Sequence, residues 1–501
     1  MESEARYLAL QRQLKELEEL LSNLQPSHTH TEFVTITGDT AWMFFACVVV
    51  FFMTLPGIML FYSGMVRVNN VLATAMQGFS VCFLMCFLWM CFGYSLAFAP
   101  INSSGDSRFS VYGDASRFWL MGMELTSTHQ LAPTIPESLF CMYELSFAVI
   151  TPALICGAFA DRMKFASMLL FFALWHLLVY CPVAHMHWHP DGFLQRLGVL
   201  DFAGGDVVHV NAGFAAMVSA IVIGKRQNRK FHPHNMLYSI TGATFLWIGW
   251  YGFNVGSTFA ANDLAGMVML NTIVAAALSC LTWVLLDFVT LRHATIVGLI
   301  NASLAGLVGI TPACAHVDTS GALIIGIASG LAGYFGVKIK KLLGFDDALD
   351  AFGVHGVCGA VGMISVGFLA TDRNRPDTEN GLLNGGSRQL WVQLVAVLVT
   401  VGWSTLGSYV LLKSIDATLG LRVSAICETE GLDVTQHASS MYGKLNAGRV
   451  LRGGAPLPKT ANEAHEAGKR AAQAAESAAN ATLSSAHPQR TLGGLTMDYI
   501  Q

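Results

Sequence analysis

The sequence is poor in charged residues. Of 501 residues, 12% are Asp, Glu, Lys or Arg, whereas 53% are hydrophobic and the mean hydropathy is +0.50; soluble proteins carry about 25% charged residues. The net charge of -4 leaves no basic surface for nucleic acid. These shortages exclude an ordinary soluble enzyme and a nucleic-acid-binding protein, and they indicate that much of the chain lies among membrane lipids.

Motifs for covalent chemistry and metal binding are also missing. The eleven cysteines lie almost all within apolar stretches, without a Cys-x-x-Cys pair or a regular extracellular spacing, so they are predicted to be core residues and not disulfides or metal ligands. The sequence has no His-Glu-x-x-His motif. We expect no cofactor, no metal and no enzymatic activity.

Long apolar runs make up most of the chain. A membrane-spanning helix needs about 20 mostly apolar residues, and such runs occur near 40–63, 71–98, 138–160, 166–187, 203–224, 237–256, 264–288, 295–315, 320–338, 350–370 and 390–413. We predict an all-α integral membrane protein with eleven transmembrane helices. An N-terminal segment over 1–37 precedes the membrane domain over 38–418, and a C-terminal tail covers 419–501.

The orientation follows from the loops. An odd number of spans puts the termini on opposite faces, and cytoplasmic loops are enriched in Lys and Arg. With the N-terminus outside, eleven of these residues fall in inside loops and six in outside loops. The first run is too long for a signal peptide and begins only near Thr40, so no cleavage is expected. We predict an extracellular N-terminus and a cytoplasmic C-terminus.

The segments outside the membrane carry weaker signals. Leucines spaced by three and four over 7–24 form a short coiled-coil seam, which predicts either a helix that joins subunits or a solitary amphipathic helix. Asn102 begins a glycosylation sequon in the outer loop 99–137, while those at Asn301 and Asn480 are not expected to be modified. The alanine-rich stretch 462–487 receives no function.

Two spans contain matching ionisable residues. Asp201 precedes His209 by eight positions at the fifth span, and Asp347 precedes His355 by eight at the tenth. This symmetry indicates an internal repeat, and because each set has five spans the second crosses the membrane in the opposite sense. The two histidines are therefore expected to meet near the midplane, where such transporters place their substrate path.

Each of these residues also has a structural interpretation. A single histidine in a span is most often bonded to a backbone carbonyl, although two at symmetric positions favour a pore. Two ligands rarely suffice for a metal. The aspartates stand where helices begin, so capping of backbone N–H groups is as well supported as contact with an ion.

The stretch CPVAHMHWHP lies at the predicted outer mouth and holds Trp188 among three histidines. Alternating histidines in such a loop do not converge on a metal without acidic or thiolate help. Trp188 is the better indicator, because an indole face attracts a cation by about 0.5–2 kcal/mol. The alternative is a tryptophan of the interfacial aromatic belt.

In its ordered motifs, the chain resembles the Amt/Mep/Rh ammonium transporter family over roughly residues 38–443. The stretches that carry the resemblance are FYSGMVRVNNVL (61–72), AFADRMKF (158–165), PVAHMHWHPDG (182–192), DFAGGDVVHVNAG (201–213), IGWYGFNVGS (248–257), GLVGITPAC (306–314), GALIIGIASGLAG (321–333), DAFGVHGVCG (350–359) and EGLDVTQH (430–437). The resemblance implies eleven helices in two inverted five-helix repeats plus a last helix, with one pore in each subunit of a homotrimer.

The resemblance also implies site residues, which fall on Tyr143, Phe147, Trp188, Asp201, His209, Phe253, Ser257 and His355. Trp188 and Ser257 would recruit ammonium at the outer mouth, and Asp201 would stabilise that site from behind. Phe147 and Phe253 would form a gate below it, followed by the twin histidines. Trp188 is usually absent from the Rh branch, so it indicates the Amt branch. Glu144 departs from the family, which commonly has Gln there, and it is either protonated or a charge that alters cation handling.

The implied function is high-affinity ammonium uptake through the plasma membrane, with methylammonium as a second substrate. Because a bare ion is costly to move into an apolar pore, we expect ammonium to be deprotonated and ammonia to pass, with the proton carried separately. An electroneutral Rh-like channel and an ammonium sensor are the alternatives. In plant transporters that the tail resembles, the residue matching Thr435 is a phosphorylation switch, which predicts a kinase or nitrogen-signalling regulator as partner; the alternative is that Thr435 caps a turn.

Overall fold

The computed structural model describes residues 35–100, 110–228 and 232–441, together with Lys15. Its main helices are α1 (Thr37–Met65), α2 (Val68–Phe98), α3 (Glu137–Ala158), α4 (Phe165–Trp188), α5 (Gly205–Ile223), α6 (Met236–Gly256), α7 (Asp263–Leu291), α8 (Ile296–Ile310), α9 (Thr319–Leu343), α10 (Phe352–Leu369), α11 (Arg388–Thr418), α12 (Ala425–Glu430) and α13 (Leu432–His437). Single helical turns lie at Phe118–Leu120, Phe193–Arg196 and Leu382–Asn384. Within these ranges the chain forms isolated bridges but no strand.

The helices fit a membrane in length and composition. Within the part of the chain that the structure describes, nine helices are long and apolar enough to cross a bilayer. They are α1 to α5, α7 and α9 to α11. Helices α6 and α8 lie where the sequence predicts two further spans. The predicted all-α membrane architecture is therefore confirmed, and the number of spans stays a prediction.

The outside of the helical bundle is more apolar than a soluble protein would allow. Phe44 on α1 is 60% exposed, and Phe83, Leu285 and Leu406 are exposed on other helices. Polar side chains are instead buried inside, where backbone and side-chain groups bond one another. Lipid replaces water around such a bundle, so exposed apolar side chains lose nothing there. All eleven cysteines are free thiols, as predicted.

Helices α5 and α10 both begin with a wide π-helical turn, Gly205–Val210 in one and Phe352–Val357 in the other. Gly204 precedes the first turn with φ of 108°, a conformation that strongly favours glycine. The two helices pack closely, because a Cβ added at Gly359 would lie 3.0 Å from the Cβ of His209. π-Helical turns often occur at functional sites, and here each contains one of the two histidines of the repeat.

Some predictions lie outside the described residues. These are the leucine seam over 7–24, the sequon at Asn102 and the alanine-rich stretch 462–487. The described part of the C-terminal tail, by contrast, packs through α12 and α13 against the N-terminal end of α2.

Candidate functional site

A cavity of about 540 Å³ opens at the predicted outer face. Of the residues named from the sequence, it is lined by Glu144, Phe147, Trp188, Asp201 and Ser257. These side chains come from α3, from the end of α4, from the segment before α5 and from the end of α6. The fold thus brings to one wall residues that are more than a hundred positions apart.

Trp188 is the last residue of α4 and is partly exposed to this cavity. Its indole Nε1 donates to the backbone oxygen of Asp201 at 2.9 Å, and its ring meets Phe147 edge-on at 5.6 Å between centroids. The hydrogen bond fixes the plane of the indole. A fixed indole in a cavity can offer its face to a cation.

Ser257 follows directly after α6, where the last turn is held by Tyr143. The Ser257 hydroxyl donates to the Phe253 oxygen at 2.9 Å, and the Tyr143 hydroxyl lies 2.7 Å from the same oxygen and 3.2 Å from Ser257 Oγ. Because the Ser257 proton is engaged, its oxygen can accept from a donor in the cavity. Tyr143 itself is fully buried and positions this end of α6.

Two phenyl rings close the bottom of the cavity. Phe147 and Phe253 lie with ring centroids 4.3 Å apart and planes 32° apart, and both are buried. Their ring faces are apolar. A neutral molecule crosses such a barrier at far lower cost than an ion does.

The two histidines meet below the phenyl pair. His209 Nδ1 and His355 Nδ1 are 3.3 Å apart, and the rings lie nearly parallel with centroids 5.3 Å apart. His209 also stacks on Trp250 and contacts Phe253. One ring must donate and the other accept in this bond. His355 borders a small, mostly apolar cavity on the far side, which it shares with Trp250.

Asp201 acts on the backbone of α5. Its Oδ1 accepts N–H bonds from Gly204 at 3.0 Å and Gly205 at 2.5 Å, and its Oδ2 accepts from Asp206 at 2.9 Å and Val207 at 3.2 Å. Four N–H donors stabilise the carboxylate anion in place. This geometry is that of a helix cap, the structural role that the sequence analysis offered for Asp201. It also fixes the Asp201 carboxyl group behind Trp188.

The three histidines around Trp188 have different partners, although the rings of His185 and His189 stack with centroids 4.6 Å apart. His185 bonds the Ala97 oxygen at 2.9 Å and Ser110 at 2.6 Å, whereas His187 Nε2 lies 3.2 Å from Asp206 Oδ2. In the described residues no three His, Cys, Asp or Glu side chains are grouped to hold a metal. The buried pair of His187 and Asp206 was not predicted by the sequence analysis. The signal that could have revealed it is Asp206, an acidic residue in an apolar segment.

The predicted cytoplasmic side contains a group of ion pairs. Arg226 pairs with Asp346 through two hydrogen bonds of 2.8 and 2.9 Å and with Asp161 at 3.3 Å. Although burial acts in the opposite direction, Arg226 holds the pKa of Asp346 well below its usual value. Glu428 from α12 pairs with Arg422 at 2.8 Å. These four charged side chains and Asp161 are therefore engaged in ion pairs with one another.

The tail residue Thr435 lies in α13, away from the pore. Its hydroxyl donates to the Gly431 oxygen at 2.8 Å, one turn earlier, which is a local helix contact. Two residues before it, Asp433 is buried and accepts the Ala73 N–H at 2.7 Å. Burial raises the pKa of Asp433, and the Ala73 N–H only partly offsets this effect. The α13 segment thus already carries a carboxylate that is costly to keep ionised.

Known proteins resemble the chain along most of its length. The profile of the Ammonium Transporter Family matches residues 41–442. An ammonium transporter of Bacillus subtilis is 42% identical over 407 residues, which cover 81% of this chain and 98% of that protein. Ammonium transporter 1 of Dictyostelium discoideum is 34% identical, covering 82% and 88%.

Solved structures are similar as well. The crystal structure of Candida albicans Mep2 superposes with a TM-score of 0.72 at 35% identity, covering 78% of this chain and 87% of that one. A structure described as a sensor Amt protein superposes with a TM-score of 0.73 at 27% identity, covering 80% and 98%.

Proposed function

Because the chain belongs to the Ammonium Transporter Family, we propose that it is a high-affinity transporter that takes up ammonium through the plasma membrane. Family membership makes it a membrane transporter of ammonium. The proposal adds the affinity, the plasma membrane, the extracellular N-terminus, the cytoplasmic C-terminus and assembly as a homotrimer with one pore per subunit.

One observation carries the mechanism: recruitment groups, phenyl rings and histidines follow one another in contact. Trp188 touches Phe147, Phe147 stacks on Phe253, and Phe253 contacts His209. His209 in turn bonds His355. This order favours a path that selects a cation at the outside and carries a neutral molecule in the middle.

At the outer cavity, ammonium binds between the indole face of Trp188 and the oxygen of Ser257. The indole contributes about 0.5–2 kcal/mol by cation–π attraction. The Ser257 oxygen accepts an N–H, which potassium cannot offer. The fixed charge of Asp201 stabilises the cation from behind. Methylammonium keeps three N–H groups and therefore competes as a second substrate.

Below the cavity the substrate passes as ammonia. An isolated ion in an apolar passage costs several kcal/mol or more, so the proton leaves before the molecule crosses Phe147 and Phe253. His209 and His355 then hydrogen-bond ammonia. Their shared bond also offers a route for the proton, because an imidazole can accept on one nitrogen and donate from the other. Transport is electrogenic when that proton enters as well.

A current measurement tests this function. Purified full-length protein in proteoliposomes is exposed to an ammonium gradient, and current and ammonium accumulation are recorded together. We expect ammonium-dependent current with accumulation. Accumulation without current would favour the electroneutral channel instead.

Sensing is a second candidate, because a similar solved structure is described as a sensor Amt protein. A sensor on this fold would bind ammonium at the outer cavity with neither current nor accumulation. Binding without flux in the same proteoliposomes would support that function and exclude transport.

A further inference from the structure

Glu144 lines the outer cavity, and the proposed function assigns no role to it. It lies on α3 three residues before Phe147, so both side chains share one helix face. Glu144 lines the same cavity as Trp188 and Ser257, yet the residue is only 5% exposed. A carboxyl group therefore lines the same cavity as Phe147, one helical turn away on α3.

The surroundings of this carboxyl group differ from those of the other buried acids nearby. Its Oε2 is buried without any hydrogen-bond partner. Asp201, by contrast, accepts four backbone N–H bonds. Glu137 Oε2 also has no hydrogen bond, but it lies 3.4 Å from Arg117 Nη2, and Glu137 Oε1 accepts from Tyr94 at 2.9 Å. Such partners compensate a buried carboxylate for the water that it has lost. No such donor holds Glu144 Oε2.

We propose that Glu144 is the group that accepts the proton of ammonium before ammonia crosses the phenyl pair. One N–H bond of ammonium breaks, an O–H bond forms on the Glu144 carboxylate, and the electron pair stays on nitrogen. The proton later leaves Glu144 by the separate path of the transport cycle, which restores the carboxylate. This inference rests on the proposed function, since it assigns a residue to its deprotonation step.

Other titratable groups face Glu144 from several elements. Those within electrostatic range are Cys47 on α1, Cys141 and Tyr143 on α3, and Tyr180 on α4. Those that share the cavity are Asp201, His316, Arg375, Asp377 and Glu379. Burial lowers the pKa of His316 to about 3, so it stays neutral near pH 7. The rim carboxylates remain as the competing acceptors, and a control variant separates them from Glu144.

The test compares Glu144→Gln with Asp377→Asn, which removes one negative charge from the exposed rim of the same cavity. Uptake of ammonium and methylammonium is measured in proteoliposomes between pH 5 and 8. We expect wild-type uptake to fall as the external pH falls, because a protonated Glu144 cannot accept a second proton. Glu144→Gln should still transport, with a maximal rate lowered several-fold and without the acid-side fall, whereas Asp377→Asn should keep the wild-type profile.

Glu144→Asp serves as the conservative variant and should restore the acid-side fall at a reduced rate. A spectroscopic readout that needs no transport is the infrared carbonyl band of a protonated carboxyl group. We expect this band to change on adding ammonium to the wild type and not to Glu144→Gln. A Glu144→Gln variant with the wild-type rate and pH profile, or a wild type without the band, would overturn the inference. A wild type that shows the band but no uptake would overturn the proposed function instead.

Discussion

The predicted outer and cytoplasmic ends of the helical bundle contain the same motif, an Asp eight residues before a His, in different surroundings. At the outer end Asp201 accepts four N–H bonds and stands beside an open cavity. At the cytoplasmic end Asp347 accepts the Phe352 N–H at 2.8 Å, while its Oδ1 has no hydrogen-bond partner. The two aspartates therefore share the eight-residue spacing to a histidine, but they differ in how many hydrogen bonds their carboxyl groups accept.

The neighbours explain the difference. Lys340 bonds the Asp347 backbone oxygen at 2.7 Å and pairs with Asp350. Burial raises the pKa of Asp347, and Lys340 only partly opposes this effect. The predicted outer end thus combines an open cavity with a carboxyl group that is held by four N–H bonds. At the predicted cytoplasmic end, the charged side chains instead form ion pairs that hold the loops and the tail together.

The largest expected effect comes from breaking the hydrogen bond between His209 and His355, which joins the two repeats. His209→Ala or His355→Ala removes one side of the shared hydrogen bond, so we expect loss of selective ammonium uptake or of the coupled current. Current and ion selectivity in proteoliposomes check this, after size-exclusion chromatography has shown that the variant assembles like the wild type. Wild-type selectivity and current in both variants would return these histidines to a packing role.

The next effect should come from the cytoplasmic end alone. Phosphorylation adds about -1.5 to -2 charges, and a charge at Thr435 would lie two residues from the buried Asp433. We expect Thr435→Asp to undock the tail and silence transport, while Thr435→Ala, which loses only a local helix bond, stays largely active.

Mixed trimers refine this prediction. If the tail couples the pores, trimers with a single Thr435→Asp subunit should lose more activity than the share of that subunit. A loss strictly in proportion to the altered subunits would show that each tail acts on its own pore.

The two carboxylates provide the direct comparison. In Asp201→Asn an amide N–H₂ faces backbone donors, so we expect the free energy of unfolding to fall by about 2–3 kcal/mol. Asp347→Asn keeps an acceptor for Phe352 and removes a buried charge, so we expect a change of less than about 1 kcal/mol. Thermal unfolding in detergent measures both, and equal losses would remove the distinction between the two ends.

The smallest effect should come from the outer mouth. Trp188→Leu removes one cation–π contact of about 0.5–2 kcal/mol, so we expect the apparent affinity for ammonium to weaken by about 2- to 30-fold. Concentration series of the current measure this change, and Trp119→Leu, an exposed tryptophan outside the cavity lining, is the control. An unchanged affinity in Trp188→Leu would favour the aromatic-belt interpretation.

The sequence predicted the features that depend on pattern. Apolar runs of spanning length predicted the helices, and the matching spacings predicted that His209 and His355 would come together. The resemblance identified residues that the fold collects around one cavity and one phenyl pair. The role of Asp201 stayed open between capping and ion contact, and the structure supplies the four N–H bonds of a cap.

Other features depend on contacts that no local pattern encodes. His187 lies in the string of the outer mouth, and its pairing with Asp206 requires the end of α4 to pack against the first turn of α5. The resemblance identified Glu144 as a departure, but only the packing around α3 reveals that Oε2 lacks a donor. Likewise, nothing in the tail sequence states that Asp433 binds the backbone of α2.

Three of the contacts that fasten the tail are made to its main-chain atoms. Arg67 bonds the backbone oxygen of Glu428, Asn69 that of Glu430, and Asn70 accepts the N–H of Leu432. These three contacts depend on the path of the chain, whereas the contacts of Asp433 and Glu428 depend on their side chains. Over evolutionary time the exposed side chains of this segment could therefore change freely, while the three residues that receive it at the start of α2 could not. For protein engineering, the main-chain character of these three contacts means that a different short helix with this backbone path could still form them.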